Sequence, residues 1–240
     1  MAGAAVLGRL TWRVAQVADV KDETPRTRTL ALDVPDWPGH RAGQHVDIRL
    51  TAEDGYQAER SYSIASGPDD ERLELTVERI DDGEVSPYLV GEVRHGDTFE
   101  LRGPIGGYFA WEPGDGGPLF LVGGGSGVVP LRAMLRVRPD DVKARLVYSA
   151  RTLEDVIYRE ELDALGDDVV LTLTRERRDG VRAGRVDKQL LTEVGFRPGE
   201  EPRMFICGPT SFVETVSKAL VDLGHPPGRI RTERFGPTGR

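Results

Sequence analysis

Apolar and polar residues alternate in short runs through the first half of the chain. Trp12 to Val20, Thr27 to Val34, His45 to Thr51, Arg60 to Ile64, Arg72 to Ile80 and Thr98 to Arg102 are rich in Val, Ile, Leu and Thr, and their period of two predicts strands. Turn residues such as Pro35-Asp36-Trp37-Pro38-Gly39 and Asp81-Asp82-Gly83 separate them, and strands of this number and size suit a six-stranded antiparallel β-barrel. One short helix is expected at about Val85 to Val90.

Beyond Glu112-Pro113-Gly114-Asp115-Gly116-Gly117-Pro118 the period changes. That stretch can continue neither strand nor helix, so a junction is expected there, between residues 1–112 and 113–240. Apolar strand candidates (Leu119 to Val122, Arg145 to Ala150, Val169 to Arg175, Met204 to Cys207, Arg229 to Glu233) then alternate with helix candidates (Val128 to Arg138, Glu154 to Leu165, Lys188 to Val194, Phe212 to Leu223). Such alternation predicts an α/β domain with a parallel sheet covered by helices.

Composition narrows the function. No apolar run approaches the roughly 20 residues that a membrane span needs, and the start of the chain lacks the basic leader and long apolar core of a secretory signal. A cytoplasmic protein without membrane insertion is expected. The single cysteine, Cys207, excludes an internal disulfide and an iron-sulfur cluster held by four thiolates of this chain. The net charge of −8 is uneven: residues 1–112 carry 12 Lys/Arg against 21 Asp/Glu, residues 113–240 carry 20 against 19. That balance argues against nucleic acid as a ligand and suits a small anion bound by the second half.

A site for such an anion is suggested where Leu119-Phe120-Leu121-Val122 runs into Gly123-Gly124-Gly125-Ser126-Gly127-Val128-Val129-Pro130. Strand, glycine turn and helix start together bring unpaired amides and the positive end of a helix dipole to a pyrophosphate. Pro130 forfeits no helix hydrogen bond in a first turn. The spacing Gly125-x-Gly127-x-x-Pro130 departs from a full GxGxxG fingerprint, and a tight turn without a ligand is the competing reading. The strand 145–150 ends in Ala150-Arg151 rather than in the acid that binds a ribose 2′-hydroxyl in ordinary NAD sites.

Five separated motifs occur in one order: RSYSIAS at 60–66, GEVSPYL at 83–89, GSGVVP at 125–130, CGP at 207–209 and ERF at 233–235. In this the chain resembles the ferredoxin-NADP reductase superfamily, as a stand-alone FAD-binding oxidoreductase without an iron-sulfur domain. The resemblance covers about Trp12 to Gly239. It implies FAD on the barrel and a nicotinamide nucleotide on the α/β domain. Arg60 is implied on the flavin pyrophosphate, Tyr62 against the ring system and Ser63 near its N5, with Ser61 in the same run; an alternating surface strand is the alternative. Val77, Arg79 and Ile80 are implied along the sugar-phosphate chain. Gly83, Glu84 and Val85 would lead a helix N-terminus to the pyrophosphate, with Ser86 as a hydroxyl donor or an ordinary helix cap.

In the second domain the resemblance implies Gly125, Ser126, Gly127 and Pro130 at the nicotinamide nucleotide, and Cys207, Gly208 and Pro209 under the nicotinamide ring. Cys207 could equally be inert core packing. Glu233 and Phe235 resemble the family's terminal Glu-x-aromatic, with the carboxylate helping electron transfer, so Ser63, Cys207 and Glu233 are the catalytic candidates. The continuation Gly236-Pro237-Thr238-Gly239-Arg240 is expected to reach over the adenine end of the flavin. Thr174-Arg175 and Gly184-Arg185 resemble the family's reader of the NADP 2′-phosphate, with Arg151 a third candidate, while Asp187 falls where the plant enzymes place a stacking tyrosine. NADPH is favoured over NADH.

The expected function is hydride transfer from NAD(P)H to FAD, then single electrons to a separate ferredoxin or flavodoxin that feeds an oxygenase. A free-flavin or ferric-chelate reductase, and an inactive nucleotide-binding subunit, are the alternatives. No metal is expected.

Overall fold

The computed structural model describes residues 10–236. The expected cover of the flavin by Pro237-Thr238-Gly239-Arg240 lies outside them. In the first half, β1 (Arg13–Thr24), β2 (Thr27–Asp33), β3 (His45–Thr51), β4 (Gln57–Ser63), β5 (Leu73–Glu78) and β6 (Thr98–Ile105) form one sheet in the order β4-β3-β6-β1-β2-β5, with every neighbouring pair antiparallel. Its two edges meet at an Ile64–Leu75 bridge and at the Ala65 amide, which donates to the Glu74 carbonyl (2.8 Å). Inward residues at alternate positions, among them Ala15, Val17, Leu30, Leu32, Val46 and Ile48, make the core. The helix α1 (Ser86–Gly91) adds Leu89 and Val90 to it, and Val85 joins from just before the helix.

The second half holds β7 (Leu119–Gly124), α2 (Val128–Arg136), β8 (Ala144–Ala150), α3 (Arg159–Ala164), β9 (Val169–Leu173), β10 (Arg182–Ala183), α4 (Lys188–Val194), β11 (Arg203–Pro209), α5 (Thr210–Asp222) and β12 (Ile230–Phe235). The strands form a parallel sheet in the order β10-β9-β8-β7-β11-β12. Every residue of β7 is buried, which is why its sequence is a continuous apolar run. Leu119 and Leu121 face α2 and α3, whereas Phe120 and Val122 face α4 and α5. The first of these clusters also takes in Ala42, Ala65, Phe109 and Trp111 from the barrel side, so the two sheets share an apolar seam.

Two sequence expectations need correction. The helix expected over Glu154 to Leu165 begins only at Arg159. The Asp155 carboxylate instead accepts the amide and hydroxyl of Thr152 (3.0 and 2.7 Å), and Tyr158 takes a left-handed conformation (φ 59°) that no continuing helix allows. The short strand β10 was not expected; two residues are too few to carry a period.

Candidate functional site

A cavity of about 460 Å³ lies between the two halves. From the barrel its wall takes Ser61, Tyr62 and Ser63 of β4, Thr76 and Glu78 of β5, and Ile80 just beyond. Tyr62 is half-buried, and burial pushes its phenol above the usual range. The Ser61 hydroxyl donates to Asp47 (2.6 Å). The hairpin joining β1 and β2 adds Thr24, Arg26 and Thr27. None of these three was singled out in the sequence, because only the folded hairpin brings them to the site.

Arg60 lies outside this lining, with half its side chain exposed at the rim. Its Nη2 donates to Glu84 Oε2 (2.8 Å), while Glu84 Oε1 accepts the Tyr56 hydroxyl (2.6 Å). Those two bonds, Tyr56 first, hold the Glu84 carboxyl below the usual carboxylate range. Glu84 and Tyr56 face a second hollow, of about 640 Å³. Gly83 is a tight turn in which an added Cβ would lie 3.0 Å from the Ile80 carbonyl. Ser86 Oγ accepts the Ile80 amide (3.0 Å), which ties α1 to the end of β5 rather than capping the helix. The Val77 and Val85 side chains point into the barrel core, so only their backbones remain for a ligand. Arg79 pairs with Asp81 (3.2 Å) beside Arg26, whose Nη2 donates to the Arg79 carbonyl and to Asp81 (3.0 Å each).

On the second wall, β7 runs through a 3-10 turn, Gly125–Gly127, into α2. Gly124, Gly125, Ser126 and Val129 line the cavity. Gly125 has φ 56° and open space on its Cβ side apart from Glu78 Oε2 at 3.9 Å, so its backbone is available for close approach by an anion. Gly127 is a glycine for another reason: a Cβ there would sit 2.2 Å from the Cys207 carbonyl oxygen. Pro130 is buried in the first turn of α2, away from the lining. Arg151 and Thr174 line the outer part, where the Arg175 amide donates to the Arg151 carbonyl (2.8 Å). Gly184 N donates to the Leu173 carbonyl (2.8 Å), bringing the exposed Arg185 to the same strand ends as the exposed Arg175. Asp187 caps α4, accepting the Leu190 amide at 2.8 Å, which accounts for an acid at that position.

At the seam, Cys207, Pro209 and Phe235 close the cavity, with Gly208 packed against Phe212 behind them. Parallel pairing sets Cys207 of β11 opposite Glu233 of β12. Burial, and then Glu233, push the thiol well above its usual range, so it remains protonated. Burial pushes Glu233 up to about 7, and its Oε2 has no hydrogen-bond partner among the described residues. Its Oε1 lies 3.8 Å from Nδ1 of His45, which β3 pairs with Ser63 of β4. His45 was missed in the sequence because only strand register brings it here. Burial lowers its pKa, against a raising effect of Asp47.

The residues fit a flavin. Tyr62 offers an aromatic face to a planar ring, Ser63 a hydroxyl beside it, Gly125 an open backbone, and Glu233 a buried carboxyl oxygen still without a partner. Among the described residues no three His, Cys, Asp or Glu side chains gather as a metal site, and no helix is long and apolar enough to cross a membrane.

Two known domain families match the chain. Residues 14–110 match the oxidoreductase FAD-binding domain, and residues 121–218 match the oxidoreductase NAD-binding domain. The chain is 34% identical to ferredoxin–NADP reductase B of Sorangium cellulosum, covering 92% of this chain and 96% of that protein. It is 33% identical to the ferredoxin reductase component of 3-ketosteroid-9-alpha-monooxygenase of Rhodococcus rhodochrous, over 92% of this chain but only 64% of that protein's length. The crystal structure of a ferredoxin NADP+ reductase from Neisseria gonorrhoeae with bound FAD and NADP superposes with a TM-score of 0.80 at 26% identity, covering 93% of this chain and 98% of that one. With two domain matches in order and a full-length relative, the chain belongs to the ferredoxin-NADP reductase family of NAD(P)H-dependent FAD oxidoreductases.

Proposed function

We propose that the chain is a cytoplasmic reductase that uses NADPH in preference to NADH and passes single electrons to a separate ferredoxin or flavodoxin serving an oxygenase. Residues 1–112 form its flavin unit and residues 113–240 its nicotinamide-nucleotide unit. The observation that carries the reading is the cavity itself, in which Tyr62 and Ser63 of one half and Cys207 of the other line a common space, with Glu233 beside Cys207 on the neighbouring strand.

Bound FAD would supply the chemistry, taking a hydride from the nicotinamide and releasing its electrons one at a time. The chain positions and insulates. Tyr62 covers one ring face, Ser63 offers its hydroxyl at the ring edge, and Phe235 closes the seam against water. Arg60 would leave its solvent-exposed pair with Glu84 to hold a flavin phosphate, which a guanidinium can grip through two N–H groups. Ser86 keeps its hydroxyl proton for that phosphate while its oxygen holds the Ile80 amide. Val77, Arg79, Ile80, Gly83 and Val85 border the sugar-phosphate chain through their backbones. Gly125, Ser126 and Gly127 at the start of α2 receive the nicotinamide nucleotide's pyrophosphate, with Pro130 shaping the turn. Cys207, Gly208 and Pro209 form the floor for the nicotinamide. Cys207 stays a thiol and does no covalent chemistry.

The preference for NADPH is supported by Arg151, Thr174, Arg175 and Arg185 at adjoining strand ends, a cationic cluster suited to a 2′-phosphate. The oxygenase reading is supported by relatives named as oxygenase reductase components.

Anaerobic titration of the purified protein tests the whole reading. A yellow protein, bleached faster by NADPH than by NADH and reoxidised by added [2Fe-2S] ferredoxin or flavodoxin, is expected. A colourless protein would sink it. Electron delivery to free riboflavin or ferric chelates, with none to either protein, would replace the acceptor by a small molecule.

A further inference from the structure

Arg132 lies on α2, three residues beyond Val129, and its side chain is only 7% exposed. Its guanidinium spans the seam. Nε and Nη2 reach Glu161 Oε2 (2.8 Å each), and Nη1 donates to Glu74 Oε2 (2.9 Å) and to the Ala65 carbonyl (3.1 Å). Its plane lies over the Tyr158 ring at 4.2 Å. Ala65 and Glu74 belong to the flavin side: one follows Ser63 by two residues, the other precedes Thr76 of β5 by two. Tyr158 makes a second tie, its hydroxyl donating to Thr76 Oγ1, which also bonds Thr29 (2.8 Å). Arg136 makes a third, reaching Glu161 at 3.1 Å and Asp70 at 2.9 Å.

Around these ties the seam is largely apolar, and apolar contact has no preferred direction. The other cross-seam bonds, Tyr108 hydroxyl to the Ile230 carbonyl (3.2 Å) and Arg231 Nη1 to the Ala110 carbonyl (2.7 Å), reach β12 rather than the 125–127 loop. A buried guanidinium adds little stability over an apolar side chain of equal volume, but its forked bonds admit one relative placement of the groups it joins. The left-handed turn at Tyr158 belongs to the same device. It ends the preceding loop so that the phenol meets Thr76 while α3 carries Glu161 to Arg132.

We propose that Arg132, with Tyr158 and Glu161, is a positioning residue of the reductase, setting how the 125–127 loop faces the strand that carries Tyr62 and Ser63. The catalytic consequence rests on the function proposed above, in which hydride crosses between those two walls.

The test compares the flavin-loaded parent with Arg132→Lys, which keeps the charge but loses the fork, and Tyr158→Phe, which keeps the ring but loses the Thr76 bond. Amide hydrogen exchange of residues 62–66 and 124–127, without nucleotide, reads the placement directly. Stopped-flow bleaching by saturating NADPH and the long-wavelength absorbance of stacked nicotinamide and flavin read its consequence. Arg132→Lys is expected to speed exchange on both walls, weaken the long-wavelength band, and slow bleaching on the order of tenfold to a hundredfold with little change in KM. Tyr158→Phe moves each readout the same way by less. Parent-like exchange, band and bleaching rate would overturn the proposal, as would a slower rate explained wholly by lost flavin. If Arg132→Lys does not fold, Tyr158→Phe decides on the same criteria. If neither nicotinamide bleaches the parent, the functional reading falls, and exchange alone decides the positioning role: faster on both walls supports it, unchanged overturns it.

Discussion

At the barrel rim, Glu84 stands in solvent, accepts hydrogen bonds from Tyr56 and Arg60, and keeps its carboxyl below the ordinary range. At the seam, Glu233 is half-buried, its Oε2 is enclosed without a hydrogen-bond partner among the described residues, and burial pushes its carboxyl up to about 7. The two carboxylates differ because hydrogen bonds from Tyr56 and Arg60 favour the charged form of the first, while burial disfavours that of the second. An exposed ion pair is worth little, so Arg60 can leave Glu84 for a phosphate with small loss. A buried carboxyl poised near neutrality can hold or give up a proton at working pH. In the function proposed above, the rim exchanges an ion and the seam holds a proton.

Glu233→Gln should break the contrast most strongly. Folded Glu233 keeps its proton to about pH 7, whereas the free carboxyl loses it near 4.5. The folded state therefore binds more protons between those values, and the stability this group contributes at low pH is lost as pH rises through 7. Glutamine removes the loss, so the variant should gain roughly 3 kcal/mol over the parent at pH 8 and nothing at pH 4, by urea unfolding. An equal difference at both pH values would mean that Glu233 is not held protonated. Turnover should meanwhile fall on the order of a hundredfold.

Arg60→Ala comes next. Loss of charge-assisted phosphate contacts should weaken FAD binding roughly tenfold to a hundredfold, measured by the fluorescence of released flavin. Full retention of flavin would show that the rim binds no anion. Arg185→Ala should raise KM for NADPH about tenfold and leave that for NADH alone; equal rises would remove its 2′-phosphate role. The smallest effect belongs to Glu84→Gln, which should tighten flavin binding by about twofold at most, because the ion pair it breaks is solvated. A large loss of flavin from that variant would make the pair a fixed part of the site and end the idea of exchange.

The barrel strands were legible because one face is buried and the other is wetter, as Thr98–Ile105 shows in its burial alternation. β7 was legible for the opposite reason, being buried throughout. The helix expected from Glu154 was misread because Val156, Ile157 and Leu162 are all buried, yet only Leu162 is buried on a helix. In the site, Tyr62, Ser63, Ser126 and Cys207 stand in recognisable local runs, and all four line the cavity. His45, Arg26 and Glu78 arrive by register or tertiary packing, and no local spacing announces them. Gly127 was picked for a sound local reason, but a close approach to Cys207 explains it.

The placement of β11 also bears on how the protein comes to exist. It joins Leu119 through Gly123 to Arg203 through Cys207, so β8, β9, β10 and their connections must be made and looped out before the wall holding Cys207 can form. Closing so long a loop costs chain entropy before any contact repays it. The barrel hairpins β1–β2 and β3–β4 join neighbours instead. On a ribosome, the strand bearing Tyr62 and Ser63 is thus complete while the strand bearing Cys207 is still untranslated, so one wall of the cavity is made before the other exists.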